Sequence, residues 1–102
     1  MFTLQKNPVF KTTARIVVPT EEGDVEQTLG VKFRLLPDDA TKMEPTEFLR
    51  EAVVTLDDIV DEAGKPLTCD DALREQMITI PFVRMGLIRA YWAALSKAKV
   101  GN

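Results

Sequence analysis

The chain contains no histidine, so acid–base and metal-binding chemistry would rest mainly on its sixteen carboxylates and a single cysteine, Cys69. The missing residue type is the commonest general base and the commonest metal ligand, and Ser–His and Cys–His nucleophiles go with it. One cysteine supports neither a thiolate zinc site nor an internal disulfide, in keeping with a reducing compartment. Cys69 reads as a small residue at the start of a helix. There is no glycine-rich phosphate loop of the GxGxxG or GxxxxGK[ST] kind.

The densest group of acids is Asp57, Asp58, Asp61 and Glu62, with Gly64 close behind. Its composition resembles a calcium loop but its spacing does not. An EF-hand needs ligands at loop positions 1, 3 and 5, glycine at 6 and glutamate at 12, and no register here supplies them. A carboxylate pair for glycoside hydrolysis can be drawn from the same cluster, yet a chain this short leaves little cleft around it. The expectation is a solvated turn, with no catalytic residue, cofactor or metal. The protein is read as a non-enzyme that binds another protein.

At 102 residues the chain has room for one hydrophobic core, which makes residues 1–102 a single domain. Apolar residues are 45% and charged residues 28% of the whole, as in globular domains and unlike disordered ones. The longest apolar run, Ala90 to Leu95, is six residues, against about 20 for a membrane span. The opening residues carry no basic cluster followed by an apolar stretch, so the expectation is a cytosolic protein without a secretory signal.

The net charge of −3 is unevenly spread. Residues 1–20 hold Lys6, Lys11 and Arg15 and no acid; residues 21–75 hold all sixteen acids against six bases; residues 76–102 hold Arg84, Arg89, Lys97 and Lys99 and no acid. A basic end of this kind suits nucleic acid, or equally an acidic surface of protein. Helical geometry separates the two: at about 100° per residue, with Arg84 at 0°, Lys99 falls near 60°, Arg89 near 140° and Lys97 near 220°. Scattered cations argue against a DNA-reading helix.

The fold class expected is α+β. Alternation of Val25, Leu29, Val31, Phe33 and Leu35 with polar residues marks a half-buried strand at 25–35. Residues 9–18 form its partner, with Phe10, Ala14, Ile16 and Val18 on one side. Pro19 to Asp24 joins them as an antiparallel hairpin. Short helices follow at 39–44 and 46–54, divided by Pro45. An extended segment then enters a glycine-containing turn across 55–67. Thr68 and Asp71 have capping-box spacing for a helix at 69–78, and Pro81 opens a last helix at 80–98 that stops at Gly101-Asn102.

That last helix carries more apolar surface than one face holds. Val83, Leu87, Tyr91, Ala94 and Ala98 form the side expected against the core. Met85, Ile88, Trp92 and Leu95 lie on an adjacent flank, and Phe82 lies roughly opposite. Either the helix is central and covered all round, or part of it meets a partner, as the enrichment of aromatics and methionine in interface cores suggests. The candidate partner-binding residues are Phe82, Met85, Ile88, Arg89, Trp92 and Leu95.

Three stretches, in order, resemble the tail assembly chaperones of long-tailed bacteriophages and prophages. They are the opening Phe2-Thr3-Leu4-Gln5-Lys6-Asn7-Pro8-Val9-Phe10-Lys11, the turn Asp61-Glu62-Ala63-Gly64-Lys65-Pro66-Leu67, and the closing Ile80-Pro81-Phe82-Val83-Arg84-Met85-Gly86-Leu87-Ile88-Arg89-Ala90-Tyr91-Trp92-Ala93-Ala94-Leu95. The resemblance implies a chaperone of the tape measure protein, which keeps that long apolar client soluble and extended until tail tube subunits displace it. It also implies contact with the tail tube protein, a longer frameshifted product of the same gene, and a place in the host bacterial cytoplasm instead of the mature virion. A homo-oligomer is compatible with it. The alternatives are a small structural or completion subunit of the tail and, behind it, a nucleic-acid-binding regulator.

Overall fold

A computed structural model describes residues 1–100 of the chain, with side chains through Ser96. Two twelve-residue strands, β1 (Val9–Thr20) and β2 (Gly23–Arg34), pair antiparallel from Val9↔Arg34 to Thr20↔Gly23. The hairpin is longer than the sequence suggests, since only Glu21 and Glu22 remain as a turn. Gly23 makes this possible by taking the positive φ (+112°) that the tight reversal needs. Pro19 is tolerated inside the ladder because of where its missing N–H would point. The Leu35 N–H donates to Pro8 O (3.0 Å), and antiparallel alternation then turns the amides of odd-numbered β1 residues toward the free edge of the strand.

After β2 the chain makes a short 3₁₀ helix at Asp38–Lys42, where the sequence suggested a short α-helix at 39–44. Pro45 holds the preceding Glu44 in extended backbone (φ −61°, ψ 141°), so the segment cannot run on as an α-helix. The helix α1 (Pro45–Ala52) has that proline at its first position and is capped by Glu44, whose carboxylate accepts the Glu47 N–H (3.2 Å). It ends two residues before position 54, because β-branched Val53 and Val54 continue as the strand β3 (Val53–Asp57). Pairing of β3 with β2 gives a three-stranded sheet of order β1-β2-β3 with an irregularity between Lys32 and Phe33, so the extended segment expected from residue 55 is a full member of the sheet.

Two helices complete the chain, α2 (Asp71–Thr79) and α3 (Pro81–Val100). The cap of α2 is Asp70, which accepts the Leu73 N–H (2.8 Å), and not Thr68 as the spacing suggested. The expected stop at Gly101-Asn102 lies outside the described residues. The architecture is α+β, with helices over one face of an antiparallel sheet.

That face is built from Ala14 and Ile16 of β1, Leu29, Val31 and Phe33 of β2, and Val53 and Leu56 of β3. It meets Phe48, Leu49 and Ala52 of α1, Ile78 of α2, and Val83, Leu87, Ala90 and Tyr91 of α3. Alternation along the hairpin therefore reads correctly at its centre. Val25 and Leu35 lie beyond the helices at its two ends, and both are exposed.

Tyr91 sits at the centre of the core. Its ring meets Phe33 and Phe48 edge-on at 5.3 and 4.9 Å, lies 5.6 Å from Phe10, and meets Trp92 at 4.9 Å. Its hydroxyl accepts the Leu36 N–H (3.1 Å), pinning the exit of β2. Five residues earlier α3 touches β1 backbone to backbone: a Cβ on Gly86 would lie 2.5 Å from Ile16 Cδ1 and 2.7 Å from the Arg15 carbonyl oxygen. Only glycine fits there.

Gly86→Ala should therefore destabilise the fold by about 1–3 kcal/mol despite alanine's better helix propensity, because a strand carbonyl has to move. Chemical denaturation with an unchanged m-value checks this. Tyr91→Phe keeps the ring packing but orphans the Leu36 amide, and should cost about 1 kcal/mol in the same measurement.

Candidate functional site

The part of α3 that faces away from the core carries all six residues singled out from the sequence. With Val83 and Leu87 as the centre of the buried side, helical geometry of about 100° per residue places them on one arc of roughly 140°. Met85 and Trp92 occupy its middle, Ile88 and Leu95 one margin, Phe82 and Arg89 the other. Met85 is 60% exposed and Trp92 42% exposed, while Phe82, Ile88 and Leu95 are half-buried and pack against the core. The structure thus divides the set. Three of the apolar residues serve the chain's own packing in part, and two present a free surface.

Trp92 is positioned by α1. Its ring stacks on Phe48 at 6.1 Å with 17° between planes, which fixes one side of the indole and leaves the rest to solvent. Arg84, on the same side of α3, is turned toward the end of α2, where it reaches the carbonyls of Ile78 (3.5 Å) and Thr79 (3.4 Å). Glu44 lies within reach of its charge. The Glu44 carboxyl is held below the usual glutamate range, chiefly by the backbone N–H of Thr46, with Glu47 adding a second N–H and Arg84 a smaller attraction.

Arg89 belongs to a different feature. It lines a groove of about 880 Å³ between α3 and the outward face of the hairpin, together with Arg15, Thr13, Thr28, Glu26, Gly86, Ala90 and Ala93. Lys11 and Lys32 are direct cross-strand partners on the same outward face. These cations come from three separate elements. Reading α3 alone as a wheel could not bring them together, although alternation in the strands did place Lys11 and Arg15 on the side away from the core. The side chains of Lys97 and Lys99 lie outside those described.

The acidic stretch after β3 has a structural job. The Asp61 carboxylate accepts the N–H groups of Ala63 and Lys65 (both 2.9 Å), Val60 bridges Pro66, and positive φ at Asp58 (+62°) and Gly64 (+82°) turns the chain. Among the described residues no group of three or more His, Cys, Asp or Glu side chains is placed to hold a metal ion. Cys69 is half-buried and packs against the core. No described helix is long and apolar enough to cross a membrane. No protein-family model matches the chain, and no match is found among curated proteins or solved structures.

Trp92 is the chain's one tryptophan, so selectively excited tryptophan fluorescence reads this surface. Met85→Ser should change stability by less than about 0.5 kcal/mol. Trp92→Ala should cost about 1–2 kcal/mol, since it removes the stack on Phe48 and part of a buried ring. Urea titrations of both variants check the difference, followed by circular dichroism for the tryptophan variant.

Proposed function

We propose that this protein is a tail assembly chaperone of a long-tailed bacteriophage or prophage, acting on the tape measure protein in the host bacterial cytoplasm. The order and spacing of the Phe2–Lys11, Asp61–Leu67 and Ile80–Leu95 stretches support the family assignment. The observation that carries the binding role is the exposed Met85–Trp92 pair, held on a rigid helix and flanked by half-buried Ile88 and Leu95.

The chemistry of such a pair suits an apolar stripe on a long helical client. Methionine adapts to irregular surfaces, and tryptophan supplies a broad contact at little entropic cost. A contact built on two exposed side chains of one helix is weak, so a long client takes many copies. Weak contacts release readily when tail tube subunits polymerise around the client, which is what a chaperone that leaves the assembly requires. A longer frameshifted product, and self-association on the client, fit the same scheme.

Co-expression with the tape measure protein tests the reading. The expected result is a raised soluble fraction of that protein and co-purification of the two, both lost when Met85→Ser and Trp92→Ala are combined. Failure of the native chain to do either would sink the proposal. Detection of the chain at stoichiometric levels in purified virions would replace it with a structural tail subunit.

A further inference from the structure

We infer that the groove between α3 and the outward face of the hairpin is a second docking surface, which takes an acidic, extended segment of a protein partner. It does not depend on the Met85–Trp92 surface. The two arginines supply its charge: Arg15 from β1 and Arg89 from α3 line the same concavity, and Lys11 and Lys32 stand side by side further along the same sheet face. Among the described residues the ion pairs are Arg50–Glu75 and Arg74–Asp71, so none of these four cations has an acidic partner within 4.0 Å. Lys11 and Lys32 are directly opposed across the ladder, an arrangement that is unfavourable until an anion lies over it.

The groove's other walls identify the kind of anion. Gly86, Ala90 and Ala93 form a side without long side chains, so a polypeptide backbone can come close to the helix there. Thr13 and Thr28 present hydroxyls that bond a peptide as donor or acceptor. Arginine guanidinium groups match carboxylates in bidentate geometry. A polynucleotide fits less well. Glu26 lies within the groove and Asp57 faces outward beside Gly30, and both repel any anion. The occupant's charges must therefore fall beside Arg15, Arg89, Lys11 and Lys32 with uncharged residues between, which a peptide can do and a continuous phosphate backbone cannot. The outward-facing ladder positions from Lys11 to Val17 and from Glu26 to Lys32 hold no aromatic ring on which bases would stack. The occupant is a short run with two or more Asp or Glu residues alternating with small ones.

Fluorescence anisotropy with a labelled twelve-residue peptide of alternating Asp and Ala tests the inference on the intact chain. Peptides of alternating Asn and Ala and a twelve-nucleotide single-stranded DNA serve as comparisons. At about 20 mM salt the acidic peptide should bind, weakening several-fold at about 150 mM as screening increases. Arg15→Ala and Arg89→Ala should each weaken it at least about fivefold, and Arg50→Ala, on the far side of the core, should leave it unchanged. Circular dichroism confirms that the variants fold, and charge-retaining Arg15→Lys and Arg89→Lys should recover part of the affinity. Any of three results overturns the inference: no binding of the acidic peptide at low salt, equal binding by the Asn peptide or the double alanine variant, or tighter binding of the DNA.

Discussion

Every layer of this protein meets at the ring of Tyr91. Phe10 and Phe33 bring the hairpin to it, Phe48 brings α1, and the Leu36 amide ties the end of β2 to its hydroxyl. A small domain buries a modest share of its surface, so it gains most from large side chains that serve several elements at once. The polar end of the ring matters as much as its body, because it satisfies a main-chain group just where the chain leaves the sheet. Trp92, the next residue, is oriented by the same aromatic cluster, and the exposed surface therefore inherits its rigidity from the core.

The close approach of α3 to β1 follows from a different economy of space. Small residues at Gly86 and Ala90 let the helix axis come near the strand, and Ile16 fills the gap that a Cβ at position 86 would have taken. Once docked in this way, α3 cannot bury its whole circumference. One flank leans on α1 through Trp92 and Phe48, the other overlooks the groove through Arg89, and the ridge between them is left to solvent. The apparent excess of apolar residues in the last helix is thus shared between a core that needs Phe82, Ile88 and Leu95 in part and a ridge that leaves Met85 open.

Much of the fold was legible in the residues because local and tertiary preferences agree there. Alternation from Leu29 to Phe33, the proline at the head of α3 and the buried run Val83, Leu87, Tyr91 all say locally what the packing requires. Where the reading slipped, a non-local contact or a close competitor decided the matter. Val53 and Val54 extend a helical spacing in sequence but are claimed by pairing with β2, which no short window reveals. Thr68 and Asp70 are both residue types that cap helices, and it is the Asp70 carboxylate that reaches the Leu73 N–H. At the candidate site the apolar arc was visible from helical periodicity, whereas its division into packed and free residues depends on where α1 lies. The gathering of Arg15, Arg89, Lys11 and Lys32 needs the register of the hairpin together with the docking of α3.

The position of α3 beside β1 has one more consequence. A sheet of three strands has two open margins, each a template for pairing with a stray strand. The helix stands over the β1 margin at Arg15, and Pro19 removes a donor further along. On the other side Arg74 occupies the Val54 carbonyl, and β3 itself is only five residues long. The main chain at both margins is thereby withheld from cross-strand pairing, so that contact at the exposed ridge is confined to side chains, which let go where ladders do not.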